Sequence, residues 1–244
     1  MLSSPLAQSA QQLARGLKNA NLLVFVSLLL SAFSLSVTPR ASPSRWSDSD
    51  LLIFYSILGV IIAVVAYFQY SWLRTWVDQM TQRALGNIHN EVKLEKTHRT
   101  LSKWLTAFQV FSILALLGGV GSLFSSQTSQ GILGPILRYF PFIFTLLTPA
   151  LLYYTGRWSS AAFRERKYSN DVGMVLNLLK INIVLSILSL VLFSINAFTR
   201  SLTAVQIIVT LVSNVPGIYY FFVQGWVVVW IKDLSTLKKP GIIE

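Results

Sequence analysis

The chain has 244 residues, of which 53% are hydrophobic and only 12% are charged, and its mean hydropathy is +0.58. Soluble domains carry about 25% charged residues, so the composition predicts a membrane protein. The absence of cysteine excludes disulfides and thiolate metal sites, and the net charge of +11 requires either an acidic partner or a biased membrane topology.

Residues 1–70 are predicted to form a first hairpin. Ser4 before Pro5 is typical of a helix start. The apolar run 21–37 then supplies a first transmembrane helix or, as the alternative, the apolar part of a cleaved secretory signal. A Pro- and Ser-containing loop leads to a second span, residues 51–70. That span ends in aromatic side chains of the kind selected by a membrane–water interface: Tyr67, Phe68, Tyr70, Trp72 and Trp76.

Residues 71–103 are the most charged segment. Apolar residues recur every three or four positions from Leu73 to Val92, which predicts a basic amphipathic helix lying on the membrane surface, with a break at Gly86-Asn87. The segment contains both histidines, His89 and His98. We interpret them as solvated side chains rather than as metal ligands.

Residues 104–156 are predicted to form a second hairpin, and residues 157–180 a basic loop after it. Three prolines in the second helix of this hairpin suggest that its span begins near Phe140. The first helix carries small residues that would let a partner helix approach closely. The helix-packing candidates are Gly118, Gly119, Gly121 and Ser122, together with Ser27 and Ser31 of the first span.

Residues 181–231 are predicted to form a third hairpin, followed by a basic tail, residues 232–244. The run 181–199 has no charged residue and no proline. At about 1.5 Å per residue, it is about as long as the hydrocarbon layer of a bilayer is thick. The last helix is interrupted near Asn214. Residues 1–244 are therefore interpreted as one integral membrane domain, an all-α bundle of about six transmembrane helices in three hairpins.

An internal repeat supports the three hairpins. The stretches 17–36, 101–122 and 178–196 each place a basic residue before a Ser- or Gly-containing apolar run. Each is followed by a short loop and a second helix rich in late aromatic residues. The sequence therefore predicts three similar two-helix units side by side.

The distribution of Lys and Arg predicts the topology. Sixteen of the 20 lie in the amino-terminal segment, the two long basic segments and the tail, and four lie in the alternate loops. This bias places both termini and the long segments on the cytoplasmic or stromal side, so we expect no nucleic-acid partner. The basic residues offered to a soluble partner on that side are Arg83, Lys93, Lys96, Arg99, Lys103, Arg164, Arg166 and Lys167.

The sequence contains no catalytic motif, and all Asp and Glu residues lie outside the predicted spans. This argues against an enzyme, an ion-coupled pump or a metal permease. No cofactor and no metal site are predicted, while a bound lipid or a pigment ligated by Asn, Gln or water stays open. Polar residues near or within the spans either bond helices together or line a polar path. The candidates for that path are Asn182, Asn196, Asn214, Pro216, Gly217 and Gln224.

The chain from Leu101 onward carries Phe108-Gln109, the run Tyr153–Arg157 and a pattern of Asp171-Val172, Leu176, Leu179, Ile181-Asn182 and Leu185. With these residues it resembles the cyanobacterial and plastid family that includes a chloroplast inner-envelope translocon protein, also described as a plastid permease. The first hairpin is an addition to the family's four-helix pattern. The resemblance implies a thylakoid or envelope membrane and a role in protein import or metal-ion movement, of which the lack of metal ligands favours import.

Two functions follow from these observations. The first is a non-enzymatic membrane subunit or an assembly or import factor, which packs against other integral membrane proteins in a thylakoid, plasma or plastid inner-envelope membrane. The alternative is a permease or channel for a small solute or metal ion.

Overall fold

A computed structural model gives the fold and describes residues 4–37, 48–87, 91–123, 133–199 and 215–237. These residues form α-helices and no β-strand, which confirms the prediction of an all-α protein. The helices are α1 (Pro5–Val37), α2 (Asp48–Ala84), α3 (Glu91–Leu123), α4 (Leu133–Arg164), α5 (Val172–Thr199) and α6 (Val215–Ser235).

Two helix boundaries agree with their local sequence signals. The Ser4 hydroxyl accepts a hydrogen bond from the Ala7 backbone N–H at 3.2 Å, and Pro5 is the first helical residue. After α2, Gly86 adopts a left-handed conformation with φ of 82°, which glycine reaches without strain. The predicted helix start at Ser4 and break at Gly86-Asn87 are therefore confirmed.

The separate surface helix predicted over residues 71–103 is wrong. Residues 71–84 continue α2, and residues 91–103 are the beginning of α3. From Leu73 to Ala84 the apolar face of this segment is buried inside the bundle, where Val77 is 1% and Met80 0% exposed, whereas Val92 at the end of the period is 78% exposed. The sequence period identified an apolar face correctly as far as Ala84, but that face packs against other helices.

Two further boundaries differ from the predictions. Most of the basic loop 157–180 is helical, because α4 continues to Arg164 and α5 begins at Val172. Helix α4 is already helical at Leu133, before the expected start at Phe140. Pro135 lies in its first turn, where a missing backbone N–H breaks no helical hydrogen bond.

The helices form a ring. Each packs against its neighbours along the chain, and α6 packs against α1. Contacts between side chains show that the beginnings of α1, α3 and α5 meet the ends of α2, α4 and α6. We call this region the aromatic end. It comprises residues 4–20, 69–84, 91–108, 151–180 and 219–235, and it contains every buried side chain that the structure describes.

Beyond the aromatic end, the described side chains on the outside of the helices are largely apolar. Within the described ranges, one stretch, Val172–Leu192, is long and apolar enough to cross a membrane, and only 11% of its most apolar part is buried. We call eighteen exposed apolar side chains of this half the outer belt. They are Ile57, Val60, Ile61, Val64, Val110, Phe111, Ile113, Leu114, Leu117, Ile143, Leu146, Val184, Ile187, Leu188, Val191, Ile195, Val215 and Ile218.

Candidate functional site at the aromatic end

Three tryptophans meet at the centre of the aromatic end, one each from α2, α4 and α6. The ring centroids of Trp76, Trp158 and Trp230 lie 5.7 to 6.0 Å apart, and each pair meets edge to face. Such a pair contributes about 0.5–1.5 kcal/mol beyond the area it buries. All three are at most 2% exposed, so they belong to the core of this end.

Hydrogen bonds fix two of the three indoles. The N–H of Trp230 donates to the Thr81 hydroxyl at 3.0 Å, and the Thr81 hydroxyl donates to the Val77 carbonyl at 2.7 Å. The N–H of Trp158 donates to the Tyr168 carbonyl, in the loop between α4 and α5, at 3.1 Å. Burying an indole N–H without an acceptor costs about 1–3 kcal/mol, so these bonds select the observed rotamers.

A glycine lets α6 approach α1. The ring of Trp226 lies against Gly16 so closely that a Cβ on Gly16 would stand 2.2 Å from Cζ3 of the ring. The Tyr219 hydroxyl, about two turns earlier on α6, donates to the Gly16 carbonyl at 3.3 Å. Gly16 is thus a position of close packing between α1 and α6.

A cavity of about 300 Å³ lies beside the tryptophans and touches all of the helices. Five of the chain's seven tryptophans line it, and none of the described residues that line it is charged. The cavity is partly open, and hydrating its apolar wall is unfavourable at about 25 cal/mol per Å².

A second depression, an open groove of about 460 Å³ between α3 and α4, is polar. Gln109 lines it from α3, and Tyr153, Gly156 and Arg157 line it from α4. Arg157 also pairs with Asp171, with Nε to Oδ2 at 3.1 Å. Four of the residues quoted for the family resemblance therefore line one groove, and a fifth, Asp171, pairs with one of them.

A stack of three side chains joins α2, α3 and α4. Arg83 lies over the ring of Phe163, 5.1 Å from its centroid, and donates to the Phe163 carbonyl at 2.5 Å. The imidazole ring of His98 also stacks on the Phe163 ring, with 4.3 Å between the two ring centroids. Burial, and then the positive charges of Arg164 and Arg83, lower the pKa of His98 to about 4.

The interpretation of His98 as a solvated side chain is therefore wrong, since it is 6% exposed. Its position on the buried face of α3, four residues after buried Leu94, accounts for this. His89 lies outside the described residues. Among the side chains that the structure places, no three of the types His, Asp and Glu lie close enough to hold a metal ion.

The interface interpretation of the aromatic residues also needs correction for Trp76, which is 2% exposed and belongs to the core. Tyr67 and Phe68, earlier on α2, are exposed as an interface would require. The same aromatic cluster thus contains both surface and core residues.

The candidates for a polar path do not come together in the described structure. Asn182 is half-buried on α5, and Gln224 is buried on α6, where its Oε1 accepts no hydrogen bond. Asn214 lies outside the described residues. Asn196 lies on α5 and Pro216 and Gly217 on the first turn of α6, and their side-chain surroundings are not described.

The helix-packing candidates lie on α1 and α3, in the halves that point away from the aromatic end. The surroundings of these side chains, too, fall outside the described part of the chain. The predicted small-residue contacts remain predictions. They are Ser27 and Ser31 on α1 and Gly118, Gly119, Gly121 and Ser122 on α3.

The basic candidates lie around the aromatic end. Arg83 is half-buried in the stack described above, whereas the other candidates are exposed. Arg99 pairs with Glu95 at 3.3 Å and Arg166 with Glu91 at 3.6 Å. The described part of this end carries fourteen Lys and Arg side chains against six Asp and Glu, so its surface is strongly positive. The exposed candidates are Lys93, Lys96, Arg99, Lys103, Arg164, Arg166 and Lys167.

Sequence reasoning missed the tryptophan cluster and Gly16. A signal for the cluster exists in the predicted repeat. Four positions before each central tryptophan stands an aromatic residue, Trp72, Tyr154 or Trp226, and four positions after it stands a buried apolar one, Met80, Ala162 or Leu234. Aligning the second helices on these positions would have brought the three tryptophans together.

Comparison with known proteins identifies no relative: no protein-family model, no curated protein and no solved structure matches the chain.

Proposed function

We propose that the chain is a multi-pass integral membrane protein whose helices cross the bilayer as three hairpins. The outer belt is the observation that carries this proposal. Its eighteen side chains are each at least 41% exposed, and moving each from water to lipid gains on the order of 1 kcal/mol. The total gain of about 20 kcal/mol makes lipid the better solvent for this surface.

The charge of the aromatic end supports the orientation. Basic residues surround this end, as expected for the side from which helices are inserted. The repeated tryptophan position in α2, α4 and α6 favours three equivalent hairpins. The proposed topology has both termini and the turns after α2 and α4 on the cytoplasmic or stromal side.

The topology can be tested with single cysteines because the chain has none of its own. Lys167→Cys lies in the turn after α4, and Ser126→Cys lies in the sequence between α3 and α4. In intact cells, a membrane-impermeant maleimide should label Ser126→Cys and should label Lys167→Cys only after permeabilisation. Labelling of both residues from the same side would overturn the proposal.

Within the membrane, we propose a non-enzymatic role as a subunit or assembly factor that packs against other integral proteins. Among the described residues, the packed tryptophans and the uncharged cavity beside them offer no polar route for a hydrophilic solute. The function then depends on the outer surfaces. The outer belt packs against partner helices, and the basic end binds a soluble partner. The family resemblance would place this role in a thylakoid or envelope membrane and link it to protein import.

Purification from the native membrane in mild detergent tests this role. Chemical crosslinking followed by mass spectrometry should recover specific integral membrane partners in stoichiometric amounts. Crosslinks should fall when Leu114→Arg and Leu117→Arg are introduced into the outer belt together. A chain that runs as a lone monomer with no crosslinked partner would rule the role out and leave the permease alternative.

A further inference from the structure

The cavity beside the tryptophans is partly open, and the side chains that line it suit hydrocarbon and little else. Leucines, valines and aromatic rings make up most of its wall, from all of the helices in the ring. Its only uncharged polar side chains, apart from the indoles, are Gln69, Thr155, Ser159 and Tyr220. The Ser159 hydroxyl is already bonded within its own helix, to the Gly156 carbonyl at 3.0 Å.

Neither water nor an ion fits this lining. A buried water usually makes about three hydrogen bonds, and a cluster of waters filling about 300 Å³ would need many more polar partners than the wall offers. An ion would lie next to no opposite charge. Hydrating a wall of this composition is unfavourable, so an apolar occupant suits the cavity best.

The size of the cavity indicates the kind of molecule. An apolar cavity of about 150 Å³ holds benzene, so one of 300 Å³ has room for about twelve carbon atoms. We propose that this cavity binds one acyl chain of a membrane lipid, whose headgroup stays outside the uncharged wall. The proposal rests on the membrane location above for its supply of lipid, and it goes beyond the proposed role because it assigns an internal binding site.

Tryptophan fluorescence gives a direct test, since five of the seven tryptophans line the cavity. The purified chain in detergent micelles is titrated with phosphatidylcholine that carries one dibrominated acyl chain, because bromine quenches an indole only at contact. We expect a saturable component at one lipid per chain that removes about half of the emission, added to a linear background from lipid on the outside. Native mass spectrometry should show the same single bound lipid.

Two substitutions on α4 separate the cavity from the outer surface. Thr155→Phe places a ring in the cavity and should reduce the saturable component about fivefold or more, since a packed interior has no room for both. Leu146→Phe adds a ring of the same kind on the outer belt, where Leu146 is 51% exposed, and should leave the component unchanged. Leu105→Phe fills the cavity from α3 and provides a second variant if Thr155→Phe does not fold.

A wild-type titration with no saturable component overturns the proposal without reference to any variant. A saturable component that Thr155→Phe and Leu105→Phe leave intact also overturns it, because the lipid is then bound elsewhere. Failure of this site is distinguishable from failure of the proposed membrane topology, which the maleimide experiment measures independently.

Discussion

Replacing Gly16 by alanine tests how α6 is seated on α1. The added Cβ would lie 2.2 and 2.3 Å from two carbons of the Trp226 ring, whereas ordinary contact begins near 3.4 Å. The ring must therefore move by about 1 Å in a packed environment. Its movement is restricted by Tyr219, at 5.9 Å between centroids, and by Phe222, at 6.5 Å.

The magnitude follows from two opposing effects. Overpacking of this kind costs about 1–3 kcal/mol. Replacement of a helical glycine by alanine gains up to about 1 kcal/mol from helix propensity. We therefore expect Gly16→Ala to be destabilised by about 1–2 kcal/mol. Gly156→Ala is the matched control, because its added Cβ meets no atom within 4 Å and only the gain remains.

The free energy of unfolding can be measured by far-UV circular dichroism during titration with a denaturing detergent. Gly16→Ala should unfold earlier than the wild type, and Gly156→Ala at the same point or later. In a Trp226→Leu background the ring is gone, so Gly16→Ala should lose its penalty. A Gly16→Ala chain as stable as Gly156→Ala would refute the close contact between α1 and α6.

Three further predictions concern the buried polar groups and the alternative function. Between pH 8 and pH 5 the wild type should lose about 2 kcal/mol of unfolding free energy through His98, because His98 takes up a proton with a pKa near 6.5 in the unfolded chain but only with a pKa of about 4 in the folded chain. His98→Phe keeps the ring stack and should remove this loss. A variant whose stability depends on pH as that of the wild type does would contradict the prediction. Thr81→Val leaves the Trp230 N–H without its acceptor and should cost about 1–3 kcal/mol, but clearly less in a Trp230→Phe background, as a double-mutant cycle of unfolding free energies will show. If the chain is instead a permease that uses the break near Asn214, proteoliposomes should show a solute flux that falls in Asn214→Leu, and flux equal to that of the wild type would exclude this path.

Local signals predicted the parts of the fold that depend on neighbouring residues. The hydroxyl of Ser4 and the ring of Pro5 act on the backbone within one turn, so the start of α1 was predictable from sequence. The turn at Gly86 was predictable for the same reason. The apolar period identified a buried face correctly from Leu73 to Ala84, because a helical period reports which residues share a face.

The same period could not say what covers that face. A lipid headgroup region and a neighbouring helix select the same apolar residues, so the sequence alone predicts the membrane surface, although α1, α4 and α6 cover the segment. Contacts between residues far apart in the sequence determine what covers the face. Trp76 and Trp230 are 154 positions apart in the sequence, and no local rule brings them together.

Side chains with two chemical characters were the hardest to place. A tryptophan suits both a membrane interface and a core, and a histidine is stable either in water or buried in its neutral form. The sequence analysis predicts Trp76 at the membrane–water interface and His98 in solvent, and both are buried. Their partners, Trp158 and Phe163, come from α4 and could be named only once the helices were assembled.

The location of the core has a physical explanation if the outer belt lies in lipid. Between transmembrane helices the hydrophobic effect supplies almost no attraction, because lipid tails are as apolar as the side chains. It acts only where burial removes apolar surface from water. The described buried side chains lie at the basic end, where water would otherwise reach them, so their burial should contribute hydrophobic free energy that contacts between lipid-facing helices lack. Substitutions of comparable size should therefore destabilise the chain more at Trp158 or Leu234 than at Leu146 or Val191, and an equal cost at the two pairs would argue against this contribution.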